Sequence, residues 1–531
     1  MIARFLAGFS LCAVLACPGA ADQRPLSESA FEGAQWVLAT EAARAVSQVG
    51  ARLAAGEGPL ADKIRARQEI ELRMSRIGGD VAAQEVLRAL QAQLGVIDAE
   101  IREAFPDYDE FANPRPLSYA DVRADLAADE ALVLFLTDRT ATFVWAVTPD
   151  GVAWHRSPLT SRELGDLVRR VRADLDPTGL ARAAAPMSDS AAGRYPSFDG
   201  AAAHQLYSEL FAPLAETLAP ARHVYVVKDG PLSSLPFSVL LTEPWGFDGA
   251  DDFRTAPWLI ARHAFTTLPA VSSLPSAARS RALGTGASAF VGFGDPDFGG
   301  DPTAEPVLTA NRAIDAFFDA GGTQLDAIRK LAPLPGTARE LRQIAALFPE
   351  GAAEIRLGVD ATEAAVKATD FQGVSILSFA THGLVTGDIT GLAEPALAFA
   401  PPIRPSDLDD GLLTASEAAA LDLDADWVIL SACNTAAGDG TPGAEGLSGL
   451  ARAFLFAGAR SILVSHWPVR DDVAAILTAD TIERLNADGT LRRSEALRGA
   501  ILDLMVDAGD PTRAHPSAWA PFVLVGAGGR L

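Results

Sequence analysis

The sequence predicts an α/β/α sandwich built on a mostly parallel sheet and preceded by a small α-helical region. Residues 290–294, 374–380, 427–432, 461–465 and 522–525 are short, almost continuously apolar runs. Strands read this way when helices cover both faces of a parallel sheet. Between and beside these runs lie stretches with helical spacing, at 337–348, 362–368, 447–459, 472–485 and 494–505. Strand and helix alternating along a chain give a layered α/β architecture. The region before about residue 113 instead carries helical periodicity alone.

In that first region Val86, Leu90, Leu94, Ile97, Ile101 and Phe105 fall on one helix face, and Pro106 ends it. Earlier helices are expected over 31–53 and 62–77, closed by the glycines and proline at Gly56, Gly58 and Pro59 and by Gly78 and Gly79. No 34-residue period is present, so full tetratricopeptide repeats are not expected. The character changes near Asn113 to Pro116. Apolar runs at 131–136 and 142–147 flank Thr137, Asp138, Arg139 and Thr140 as a hairpin. Helical patterns follow at 161–175 and 201–218, separated by a Pro-, Ala-, Ser- and Gly-rich loop over 176–200. A strand at 223–227 enters the turn Lys228, Asp229, Gly230, Pro231. Stretches rich in Gly, Pro and Asp at 384–425 and 434–446 read as movable loops. The expected division is a leader over 1–21, helices over 22–112, a first α/β part over 113–285 and a second over 286–531.

The chain has 531 residues, 49% hydrophobic and 21% charged, with a net charge of −24. So acidic a surface argues against nucleic-acid binding, which rests on neutralising phosphates, and against a peripheral hold on anionic lipid. Arg4, the apolar stretch 5–16 and the small residues Gly19, Ala20 and Ala21 before Asp22 form an export-signal pattern. The expected location is periplasmic or secreted. The alternatives are a cytoplasmic chain with an apolar first helix, or a lipid anchor on Cys17, which follows Val14, Leu15 and Ala16. The apolar stretch is shorter than the ~20 residues that span a bilayer, and no later stretch qualifies, so no transmembrane helix is expected.

Cleavage after Ala21 removes Cys12 and Cys17 and leaves Cys433 as the sole thiol. A lone thiol in an oxidising compartment calls for a reason. Cys433 follows the strand at 427–432, and His382 follows the strand at 374–380. Function in open α/β sheets gathers at the carboxyl ends of strands. Singly, each residue reads more simply: a histidine satisfied at a strand end and a small buried hydrophobe. Together they form a nucleophile and base. A thiol is mostly protonated at neutral pH, and a neighbouring imidazole can take its proton and return it to a leaving amine. The N–H groups of Gly383 and Cys433 are candidate oxyanion donors. The seven histidines show no metal-ligand spacing, so neither metal nor cofactor is expected. Gly438 to Gly443 matches a dinucleotide-binding glycine pattern, but Cys433 to Ala437 separate it from the strand, and it reads as a loop.

The blocks Ser378-Phe379-Ala380-Thr381-His382-Gly383 and Ser431-Ala432-Cys433-Asn434-Thr435 resemble the two active-site blocks of the CHAT domain. The stretches from Gly443 to Ala459, Val464 to Val469, Val227 to Phe237, Gly294 to Phe298 and Leu334 to Glu340 fit it as well, in order. The resemblance covers about residue 115 onward, most firmly 205–529. It implies a caspase-like cysteine peptidase related to separase, often found beside tetratricopeptide repeats, with His382 and Cys433 as its dyad and a thioester acyl-enzyme. On this reading 113–285 is a pseudo-caspase-like part and 286–531 the peptidase part. The alternative is a silent scaffold of the same fold, acting as a protein-interaction module. Ser431, Trp467 and Asp439 are candidate substrate-binding residues, Trp467 as a pocket wall and Asp439 as a partner for a basic side chain. The partners implied are a protein or peptide substrate and a regulatory protein docking on the N-terminal helices. His466 departs from the family, which usually has an aliphatic residue there.

Overall fold

The computed structural model describes residues 26–38, 63–64, 66–67, 70, 81–104, 116–176, 197–275, 278, 289–299, 324–384, 392, 394–406, 408–431, 449–507 and 509–526. The expected leader 1–21, most of the 176–200 loop and the 434–446 stretch lie outside them. The strands are β1 (Glu130–Thr137), β2 (Thr142–Val147), β3 (Val152–Ser157), β4 (His223–Val227), β5 (Ala264–Thr267), β6 (Phe290–Pro296), β7 (Ala353–Gly358), β8 (Ile376–Ala380), β9 (Gly383–Leu384), β10 (Ala396–Ala398), β11 (Leu412–Thr414), β12 (Trp427–Leu430), β13 (Ser461–Ser465) and β14 (Phe522–Gly526). Eleven of them form one sheet in the order β3-β2-β1-β4-β5-β14-β13-β12-β8-β6-β7. Neighbours run parallel except β3–β2, β2–β1 and β14–β13. Two parallel blocks therefore meet at β14, which is antiparallel to β13 and parallel to β5. This is the mostly parallel sandwich that the apolar runs predict.

Each central strand sends alternate side chains into two separate cores. Ile376, Ala380, Trp427, Ile429 and Leu463 enter one, while Leu377, Phe379, Val428, Leu430, Ile462 and Val464 enter the other. Both faces need apolar residues, so the strands read as unbroken runs rather than alternations. The helices bearing on the site are α1 (Val81–Ala104), α2 (Ser161–Ala173), α3 (Gly200–Leu210), α4 (Pro335–Ala345), α5 (Gly449–Phe456), α6 (Asp471–Ala487) and α7 (Arg493–Val506). Leu341 and Ile344 of α4, Val473 and Leu477 of α6, and Leu497 and Ile501 of α7 fill the first core, together with buried residues of α2 and α3. Leu450 and Phe454 of α5 fill the second.

The N-terminal helices pack on the sandwich. Ile64 and Ile101 join the second core. Phe31 and Ala34 of the helix at 26–38 pack with Tyr119, Trp145 and Tyr225 against the β1–β4 block. Gln35 fixes that helix by a reciprocal pair with the Leu117 backbone, at 2.8 Å each way.

Three main-sheet strands, β3, β5 and β7, were not expected. The stretch 384–425, expected as a movable loop, contains β10, β11 and a short helix, Ala415–Ala419. With β9 these strands form a second, antiparallel sheet.

Gly458 turns the chain from α5 into β13 at φ +113°, where an added Cβ would stand 2.0 Å from the Leu423 carbonyl oxygen. Gly458→Ala is therefore expected to cost about 3 kcal/mol, read as a lower urea midpoint. A second test concerns acid. Burial lowers the pKa of His515 to about 4. In the unfolded chain this histidine takes up its proton near pH ~6.5, well before the folded protein does. Its stability contribution is full above that pH and is lost as pH falls toward 4, up to about 3 kcal/mol. Burial moves His223 and His466 in the same direction. Unfolding midpoints should fall between pH 6.5 and 4, less steeply in His515→Gln; equal slopes would contradict this assignment.

Candidate functional site

β8 and β12 are parallel neighbours in register, from Ile376 against Trp427 to Phe379 against Leu430. The ladder continues one step further, with Ser431 N donating to Phe379 O at 2.9 Å. His382 lies two residues past the end of β8. Cys433 is two residues past Ser431 and, like Asp439, lies outside the described residues. The chain leading to the thiol and the one carrying the imidazole thus leave adjacent strands at the same rim.

The environment of His382 fixes its tautomer. Nε2 is 2.8 Å from the Ala332 carbonyl oxygen. A carbonyl only accepts, so Nε2 carries a proton, and in the neutral ring the lone pair is on Nδ1. The half-buried ring packs on Phe298, centroids 5.6 Å apart. On either side the backbone is clamped by β10: Thr381 Oγ1 donates to Ala398 O at 2.5 Å, and Ala398 N donates to His382 O at 3.0 Å. This bond flanks the Gly383–Leu397 pair, making it the non-hydrogen-bonded type. The Gly383 N–H consequently points away from β10, as an oxyanion donor at that position must.

Two substrate-binding expectations need correction. Trp467 is fully buried and its indole N–H donates to Ser517 O at 3.0 Å. The Arg172 guanidinium lies 5.8 Å from its ring centroid. It is a core residue, buried in the first core together with Val473 and Leu477 of α6. Ser431 directs its hydroxyl to Glu340 Oε2 at 2.9 Å, which commits its proton to the protein interior. His466 is buried, neither ring nitrogen has a hydrogen-bond partner among the described residues, and burial beside Lys228 and Arg172 holds it neutral.

The residues that sequence reasoning missed lie on 332–340. Ala332 holds His382. Thr337 Oγ1 accepts from Asp295 N at 2.9 Å at the end of β6 and donates to Leu334 O at 2.7 Å. Glu340 holds Ser431. One signal was present: Glu340 sits on the buried face of α4 among Thr337, Leu341 and Ile344, an unusual place for a carboxylate. Among the described residues no cluster of His, Cys, Asp or Glu could hold a metal, and no helix is long and apolar enough to cross a membrane.

The fold is an α/β/α sandwich with a histidine just past the end of one strand and the chain that runs on to Cys433 following the next. The CHAT domain model matches residues 200–527, and the chain belongs to the CHAT family. Tetratricopeptide repeat protein 28 of Mus musculus is 34% identical over 135 residues, 25% of this chain and 5% of that protein. Its Homo sapiens counterpart is 37% identical over 127 residues, 23% of this chain and 5% of that protein. The match thus spans only about a twentieth of these curated relatives. Among solved structures, the separase–securin complex of Saccharomyces cerevisiae aligns at TM-score 0.42 and 10% identity, over 87% of this chain and 35% of that one. The Arg-specific cysteine proteinase gingipain R aligns at TM-score 0.36 and 10% identity, over 70% of this chain and 75% of that one.

The site rests on how closely α4 approaches β6. A Cβ on Gly294 would stand 2.7 Å from Leu341 Cδ1 and 2.9 Å from Ala380 O, and one on Gly292 2.9 Å from Leu341 Cδ2. Gly294→Ala is expected to lose about 1–3 kcal/mol by overpacking, measured as a lower thermal midpoint.

Proposed function

We propose that the chain is a cysteine endopeptidase that cleaves a protein substrate through His382 and Cys433. The observation that carries this reading is the parallel β8–β12 register, which brings His382 and the segment leading to Cys433 to one rim. The Ala332 carbonyl, holding the Nε2 proton, supports it further. His382 Nδ1 takes the thiol proton. The thiolate attacks the scissile carbonyl, and the oxyanion is met by the N–H groups of Gly383 and Cys433. Collapse forms the thioester and expels the amine, which receives the proton from His382. Water, deprotonated by the same imidazole, attacks the thioester carbonyl; the C–S bond breaks, the acid leaves, and the imidazolium returns its proton to the Cys433 sulfur.

The helices of 22–112 offer a surface for a regulatory protein, and Ile64 and Ile101 link them to the core that also holds residues of β8 and β12. The curated relatives are tetratricopeptide repeat proteins by name, and this favours a second reading: a CHAT-fold interaction module with a silent dyad. The leader pattern supports an exported location.

Labelling separates the two functions. An electrophilic peptide probe should modify Cys433 in the unaltered protein. Cys433→Ala should abolish labelling and peptide-library cleavage, and His382→Ala should slow cleavage by about 10²–10⁴-fold and labelling by about tenfold. Labelling at the rate of an ordinary thiol, indifferent to His382, would leave the scaffold reading.

A further inference from the structure

Glu340 is 2% exposed. A carboxylate so placed is costly unless donors meet it. Oε2 accepts the Ser431 hydroxyl at 2.9 Å. The Thr478 hydroxyl lies 3.3 Å from Oε1, but its single proton is better placed for Ala474 O, at 2.7 Å. Ser431 is the last described residue of the β12 ladder, and Cys433 comes two positions later. The Glu340 contact therefore sits at the point where the cysteine-bearing segment leaves the sheet.

The same short stretch of chain holds the other reactive group. Ala332, eight positions before Glu340, accepts from His382 Nε2 at 2.8 Å. Between them Thr337 anchors the end of β6. Three neighbouring strand ends, β6, β8 and β12, are thus tied to one segment whose height over the sheet is set by Leu341 against Gly292 and Gly294. A support shared in this way couples the two strand ends, since a shift of the 332–340 segment moves the contacts to both His382 and Ser431.

We propose that Glu340 is a positioning residue: through the Ser431 hydroxyl it fixes the end of β12 at the rim that carries His382, and so governs the reactivity of the thiol two positions on. This rests on the dyad reading. The role is geometric, so an acceptor of the same shape should replace the carboxylate.

The test uses the full chain and iodoacetamide, following alkylation of the Cys433 peptide by mass spectrometry from pH 5.5 to 10, with thermal midpoints measured in parallel. The variants are Ser431→Ala, Glu340→Gln, Glu340→Ala, the double Ser431→Ala/Glu340→Ala, and His382→Ala as reference. Ser431→Ala and Glu340→Ala should each slow alkylation at pH 7 by about tenfold, the loss expected when an assisted thiol reverts to an ordinary one. The double variant should be no slower than either, and Glu340→Gln should stay within about threefold of the unaltered chain by keeping the acceptor. All should converge above pH ~9.5, where the thiol ionises unaided; a change of stability alone would move the midpoint and leave the pH profile in place. If His382→Ala alters the profile while Ser431→Ala does not, the positioning role is overturned and the dyad stands. A profile indifferent to His382→Ala overturns both. Additive losses in the double variant would mean that the two residues act separately, and would also overturn the proposal.

Discussion

Leu341 lies in a trough that β6 leaves open because Gly292 and Gly294 carry no side chains on the face beneath it. That contact is the constraint on which the rim depends. It lets α4 rest low enough for the chain just before it to meet His382 and its middle to meet Ser431. Side chains of ordinary size under Leu341 would raise the helix, and hydrogen bonds lose strength quickly with distance and misalignment. The strand that supplies the glycines bears no reactive residue; its contribution is the space it leaves empty.

How much could be read from the sequence follows from how each element is buried. β8, β12, β13 and β14 lie inside the sheet with both faces covered, so each announces itself as an apolar run. β3 and β7 are the two outermost strands, and their sequences, Val-Ala-Trp-His-Arg-Ser and Ala-Glu-Ile-Arg-Leu-Gly, are half-exposed and mixed. β5 is only four residues long, too short for any periodicity to register. The stretch 384–425 reads as loop because β10 and β11 have three residues each and are separated by prolines and aspartates. The same logic holds at the rim. His382 was legible because it directly follows a buried strand. The carbonyl of Ala332 was not, since a backbone acceptor leaves no mark in residue identity. Trp467 misled because a large aromatic beside the reactive blocks reads equally well as wall or core, and only its burial in the first core decides between them.

Arginine joins the two blocks of the sheet, mostly through carbonyls and a few carboxylates. Arg172 donates to Ser234 O at 2.9 Å and His466 O at 3.3 Å. Arg498 reaches Ile260 O at 2.6 Å, and Arg254 reaches Asp507 O at 3.2 Å. Arg492 meets Asp129, Nη1 to Oδ2 at 3.0 Å, and lies 3.3 Å from buried Glu130. A guanidinium presents several donors in a fixed plane and sheds water more readily than an ammonium, so it can grip two backbone turns at once. The preponderance of arginine over lysine suits this use whatever its origin.

The position of β14 bears on the history of each molecule. This strand follows every other described strand in the chain and yet sits in the middle of the sheet, between β5 and β13. While a ribosome is still making the preceding residues, the two blocks have no common seam, and the inner edges of β5 and β13 await a partner that has not emerged. Assembly of the sheet is therefore a late, non-local event, slow in the way that long-range strand pairing is slow. A nascent chain carries His382 and Cys433 well before it carries the strand that braces β13 beside them. Such an order delays the completed rim until synthesis has passed the strand that locks the two blocks together.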